Sequence, residues 1–207
     1  MNMFKWSIGA LLALGVMGAS AVTSAAEYVI DADHTSIHFR VGHFQFSQVQ
    51  GRFNKISGTI DIDRPPKQRS ANAAASEVYV VVDVSSIDTN HQARDDHMRD
   101  PTFFNVVRYP NAVFRSTQIV VTGAKTGRMT GDLTILGTTI PVTMDVKFNG
   151  IAAHPLGAKF AKYRGITVVG FSARTTISRS SFGMTNAPGE KGEIAELTIE
   201  VEAWQRP

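Results

Sequence analysis

From residue 27 onward the apolar side chains recur with period two. In the final segment Ala195, Leu197, Ile199, Val201 and Ala203 alternate with Glu196, Thr198, Glu200, Glu202 and Trp204. Successive side chains of a strand point to opposite faces, so one face of this segment is dry and the other wet. Val142, Met144, Val146 and Phe148 alternate with Thr143, Asp145 and Lys147. Val169, Phe171, Ala173, Thr175 and Ile177 do so with Gly170, Ser172, Arg174 and Thr176. Further strands are predicted at residues 28–31, 36–41, 53–63, 77–86, 112–122 and 128–136. Arg64-Pro65-Pro66, Thr122-Gly123, Leu136-Gly137 and Asn149-Gly150 read as turns, and residues 70–76 as a loop. Such short connections favour hairpins over helical crossovers, which predicts antiparallel up-and-down order.

One segment breaks the alternation. Thr89, with Gln92 three residues later, reads as a capping box; residues 91–99 lack strand periodicity and Asp100-Pro101 ends the helix. Pro101 opens a second short turn through Phe104.

About eight amphipathic strands can stack as a sandwich or close on themselves, and closure removes the exposed edges. The expectation is an all-β, eight-stranded antiparallel barrel with one short helix inserted near residues 90–104. An outer-membrane barrel would carry an apolar exterior. Glu196, Glu200 and Glu202 would then face lipid or crowd one wall of a narrow lumen, which is costly, whereas a barrel in water solvates them. Barrels of this size are either filled by their own side chains or hold one slender ligand. The twelve phenylalanines, with small Gly, Ala and Thr at neighbouring inward positions, serve either purpose.

The ends change the setting. Residues 1–26 have the form of a secretory signal: Lys5, an apolar run over residues 8–22, then Ser24-Ala25-Ala26 as a small-residue cleavage site. The run is short for a membrane span of roughly 20 residues. The expected organisation is therefore a removed signal at 1–26 and one barrel domain at 27–207, exported to the periplasm and not membrane-spanning. The chain has no cysteine, so neither disulfides nor a thiolate site contributes. Its formal net charge of +3 is scattered, the tightest cluster being Arg64, Lys67 and Arg69, and no nucleic-acid stripe is visible.

His91, Arg94, Asp95 and His97 form the densest polar cluster. A zinc site wants three or four convergent ligands with histidines commonly four apart, and these two are six apart. The cluster therefore reads first as structural, satisfying backbone groups around the helix, and otherwise as a lipid head-group contact. A metal-assisted hydrolase or isomerase using His91 and His97 is the alternative from another class. His34, His38 and His43 read as satisfied histidines, and no Ser-His-Asp set or phosphate loop is recognisable. Gly58, Gly131, Gly165, Gly170 and Gly183 read as bulges or barrel corners.

The run Ser86-Ile87-Asp88-Thr89-Asn90-His91-Gln92-Ala93-Arg94-Asp95-Asp96-His97-Met98-Arg99, then Phe103-Phe104-Asn105 and Tyr109-Pro110-Asn111-Ala112-Val113-Phe114, resembles the signature of the YceI-like family. Tyr28-Val29-Ile30-Asp31, Gly51-Arg52-Phe53, Gly131-Asp132-Leu133-Thr134-Ile135-Leu136-Gly137 and Ser180-Ser181-Phe182-Gly183 extend the likeness over residues 27–207. What the resemblance implies is a lipocalin-like periplasmic barrel binding an isoprenoid lipid, a quinone or a polyprenyl phosphate, as carrier or reservoir. It implies no enzyme, no metal, and no cofactor beyond the bound lipid. Transient membrane contact is compatible with that role, and a homodimer is left open. The inward candidates for lipid contact are Phe39, Phe44, Phe53, Val80, Val82, Phe103, Phe104, Phe114, Leu133, Ile135, Met144, Phe171 and Phe182.

Overall fold

The computed structural model describes residues 25–62, 75–186 and 192–205. The turn expected at Arg64-Pro65-Pro66 and most of the predicted signal lie outside them. Eleven strands hydrogen-bond in one sheet: β1 (Ala26–Ile30), β2 (Ser36–His43), β3 (Ser47–Phe53), β4 (Ile56–Ile62), β5 (Ala75–Asp83), β6 (Ile87–Asp88), β7 (Asn111–Val121), β8 (Thr126–Ile135), β9 (Thr138–Ala153), β10 (Thr167–Ser178) and β11 (Ile194–Gln205). Pairing of β1 with β11 closes the sheet. β1 and β2, β3 and β4, and β5 and β6 lie end to end, so the closed ring is an eight-stranded antiparallel barrel in up-and-down order.

The breaks in those three staves have local causes. Between β1 and β2 the chain loops out opposite Glu202, whose carbonyl accepts from Asp31 N (2.9 Å) and Thr35 Oγ1 (3.2 Å). The strand expected over 53–63 is interrupted at Asn54 and Lys55, whose N–H groups donate to Ser86 Oγ instead of a ladder. Sequence reading misses β3 because Ser47, Gln48, Gln50 and Gly51 leave only a weak alternation. Gly51 is required there: a Cβ would stand 2.4 Å from Phe39 Cζ.

Two turn expectations resolve differently. Leu136 (φ 53°) and Gly137 (φ 74°) form the two-residue connection between β8 and β9, with positive φ at both positions as a type I′ turn requires. Asn149-Gly150 is not a turn. It lies inside β9, where Gly150 pairs with Gly170 but Phe148 with Phe171, so Asn149 is the extra residue of a bulge. Residues 75 and 76, expected in a loop, belong to β5.

The helix α1 (Gln92–Arg99) falls where predicted, with a different cap. Nδ1 of His91, not Thr89, accepts from Arg94 N (3.3 Å). Arg99 fastens α1 to the barrel, donating from Nε to Ser85 O and from a terminal nitrogen to Ile87 O, both at 2.8 Å. α1 and the turn Ser180–Phe182 cover one end of the barrel. The β7–β8 turn and the β9–β10 loop stand at the other. Among the described residues no helix is long and apolar enough to cross a membrane.

Candidate functional site

The inward faces leave a cavity of about 270 Å³ running along the barrel. Its wall is the apolar core itself. β2 and β3 contribute Phe39 and Phe53, β5 contributes Val80 and Val82, and β7 contributes Phe114. Leu133 and Ile135 come from β8, Met144 from β9 and Phe171 from β10; Phe104 and Phe182 come from the segments that cover the helix end. The lining extends to residues the sequence reading left out, among them Ile119, Met129, Phe148, Ala173 and Val201, and the helix adds Met98. The same period-two signal carries all but Met98 and Ile119, which a bulge in β7 turns inward.

Two candidates fall outside. Phe44 sits in the β2–β3 turn at φ 51°, half exposed, with its ring against His43. Phe103 packs edge-on against His97 at 4.8 Å and lies beneath the Arg179 guanidinium. Both follow a strand or helix end, where alternation no longer tells in from out.

Burial differs around the two ends of the cavity, and on the β1, β10 and β11 side the end opposite the helix is closed, Tyr28, Val169 and Ala203 being fully buried. At the helix end Phe182 and Met184 are 3% and 6% exposed, and Phe104 meets Phe53 edge-on at 5.8 Å. At the other end Val121 is 49% exposed and the lining continues over the β7–β8 turn at Gly123, Ala124 and Lys125. The mouth therefore opens at the β7–β8 turn. A bulge at Thr117 keeps both halves of β7 facing inward, so that Phe114 and Ile119 both reach the cavity.

Arg179 is the charged side chain at the covered end. Burial pushes its pKa down while Glu193 opposes that. It donates from Nε to Met184 Sδ (3.4 Å) and from its terminal nitrogens to Gly192 O (2.6 Å) and Asn186 O (3.3 Å). Ser178 and Ser180 hydroxyls donate to Glu193 and hold its carboxyl below the usual carboxylate range. This network joins Arg179, Met184 and Asn186 after β10 to Gly192 and Glu193 before β11.

His91, Arg94, Asp95 and His97 do not converge on one point. Buried Asp95 accepts from Thr89 N (2.9 Å) and Thr89 Oγ1 (2.5 Å). Arg94 donates from Nε to Thr89 Oγ1 (2.8 Å) and from a terminal nitrogen to Thr89 O (2.7 Å). His91 caps the helix, and His97 is exposed with Nε2 3.9 Å from Asp100. These contacts satisfy Thr89 and the start of the helix. Asp31, His34 and Glu202 are the described residues whose ligand atoms do gather, within 4.8 Å of one another. Their atoms already have partners: His34 Nδ1 with Asp31 Oδ2 at 2.5 Å, and Glu202 Oε1 with the Trp204 indole N–H at 2.9 Å. The Asp31 hydrogen bond raises the His34 pKa.

Comparison with known proteins places this geometry. The YceI-like domain pattern matches residues 28–203. The chain belongs to the YceI-like family. A UPF0312 protein of Ectopseudomonas mendocina is 36% identical over 203 residues, covering 97% of this chain and 98% of that protein. The crystal structure of a Campylobacter jejuni YCEI protein is 28% identical at TM-score 0.66, over 81% of this chain and 91% of that one. A polyisoprenoid binding domain from Saccharophagus degradans, 14% identical at TM-score 0.61 over 88% of this chain and 99% of that one, shares the fold.

Proposed function

We propose that this YceI-like protein is an exported, periplasmic lipid holder. An isoprenoid lipid, a quinone or a polyprenyl phosphate, occupies the barrel as cargo to be carried or stored, not transformed. The observation that carries the reading is the cavity: a barrel whose inward faces are almost wholly apolar yet do not fill the space between them. The similarity to a polyisoprenoid binding domain supports the same class of ligand.

The volume limits what enters. An apolar protein cavity of about 150 Å³ accepts benzene, so 270 Å³ encloses roughly ten carbon atoms, or about two isoprene units. At about 0.8 kcal/mol per methylene that is about 8 kcal/mol. This is comparable with the 4–15 kcal/mol cost of association. Two enclosed units alone hold weakly. A longer tail must displace pliable linings such as Met129 and Met144, or leave through the mouth and stay covered near it.

Lipid extraction of protein purified from the periplasmic fraction, followed by mass spectrometry, tests this. Recovery of prenyl lipids is expected. A barrel that is repeatedly empty and also refuses quinones and prenyl phosphates in titration would overturn it.

A further inference from the structure

At the mouth end β9 and β10 continue past Phe148, β10 still paired with β11 as far as Thr167↔Gln205, and end in the loop 154–166. Phe148 marks the rim, its N–H held by Lys125 O of the β7–β8 turn at 2.8 Å. Residues 150–153 pair with 167–170 beyond it, so the strand carries the hairpin about 15 Å past Phe148. Its loop is built, not loose. His154 N donates to Ile166 O (2.8 Å), and Ile166 is buried. The His154 ring stacks on Tyr163 at 4.1 Å and 2°, and both stand edge-on to Trp204.

This scaffold turns apolar groups outward. Ile151 is 40%, Leu156 39% and Phe160 51% exposed. Lys159, Lys162 and Arg164 are exposed among them, and residues 149–166 contain no Asp or Glu. Among the described residues none of these three cations pairs with a carboxylate; Lys162 lies over the Tyr163 ring. Asp31 and Glu202 gather instead around His34, whose ring meets Trp204 at 6.4 Å, with Asp33 beside them in sequence. Two exposed apolar side chains and three cations without a carboxylate partner among the described residues, all on one tip, match an anionic bilayer surface: the ring and the leucine enter the headgroup boundary while the cations take lipid phosphates.

We propose that the β9–β10 hairpin tip docks the protein on anionic phospholipid membranes, with the cavity mouth beside the docked tip. The inference deepens the carrier reading by naming its membrane contact. Docking itself requires only the tip.

Co-sedimentation of the mature protein with vesicles of phosphatidylglycerol and phosphatidylcholine, against phosphatidylcholine alone, tests it. Binding is expected to the mixed vesicles only. Raising the salt to about 0.5 M, where the Debye length shrinks well below 8 Å, should weaken it. Lys159→Gln with Lys162→Gln and Arg164→Gln should lower partitioning roughly a hundredfold. Leu156→Ser with Phe160→Ser should lower it at unchanged charge and unchanged Tm. Equal binding to neutral vesicles, indifference to both variants, or self-association through the tip without vesicle binding would overturn the proposal. Lipid extraction of the same samples separates the two readings. A loaded barrel that ignores vesicles removes docking alone, and an empty barrel that binds them removes the carrier alone.

Discussion

Ala173 stands midway along β10, 8% exposed, on the cavity wall between Val146 and Ile199. Ala173→Phe pushes a ring of benzene size into the 270 Å³ cavity, which leaves roughly 120 Å³ or about five carbon atoms of room. A lipid tail then loses about 4 kcal/mol of burial at 0.8 kcal/mol per methylene. At 1.4 kcal/mol per decade its Kd should rise several hundredfold. The cost to the empty protein points the other way. A ring entering a real void fills it, so the Tm of delipidated protein should hold or rise slightly. A ring forced into interlocked side chains costs about 1–3 kcal/mol. At about 2–4 °C per kcal/mol for a domain of this size, that is a fall of several degrees. Titration with a fluorescent prenyl analogue, beside calorimetry of the delipidated barrel, reads both quantities. Unchanged affinity at unchanged Tm would refute cargo in the central cavity, and a large drop in Tm would refute the cavity itself. Phe44→Ala, outside the wall, should leave affinity untouched.

Other outcomes follow from the same geometry. Gly58→Ala places a Cβ 2.0 Å from Tyr79 O at φ 151°, so β4 and β5 must part; the urea midpoint should fall by the equivalent of at least about 3 kcal/mol, and no change would contradict this backbone. His91→Ala removes a helix cap and should cost about 1 kcal/mol; elemental analysis of a His91→Ala, His97→Ala protein should match the parent, and a loss of bound metal would restore the metal-assisted alternative. Ser85 hydrogen bonds, with Lys55, hold the Asp83 carboxyl below its usual pKa against the opposing effect of burial. Its contribution is thus fully present above the unfolded value near 3.9 and lost as pH falls through the lowered folded value. Asp83→Asn should flatten the acid limb of the stability curve. The exposed His34–Asp31 pair has the opposite sign, its small contribution present below about pH 6.5 and lost as pH rises through the raised His34 value, which NMR titration of the imidazole resolves.

Period two along β9, β10 and β11, with strand candidates and turns between them, was enough to read the barrel, its antiparallel order and most of the wall, because a strand's two faces are written directly into alternate positions. Eleven of the thirteen lipid-contact candidates line the cavity. The helix was legible from its break in that pattern and from Asp100-Pro101. Where the pattern stops, so does the reading: Phe44 and Phe103 sit in turns, and β3 carries too few apolar residues to announce itself. Asn149-Gly150 carries turn chemistry but meets Gly170 across a continuing ladder, and that partner is 20 residues away in sequence.

Other features were beyond any local pattern. Thr89 looks like a cap until Asp95 and Arg94 fold back onto it, which depends on where β6 delivers the chain. The same apolar residues could have interlocked or stood apart, since periodicity states which way a side chain points and not how far the opposite wall lies. That distance is a property of eight staves closing on one another, with Phe182 and Met184 covering one end and the β7–β8 turn leaving the other open. The placement of the loop after β9 is likewise decided by pairing: β10 stays on β11 from Thr167↔Gln205 onward, so only the connection 154–166 stands clear of the barrel wall, with its leucine, phenylalanine and three cations turned to the surroundings.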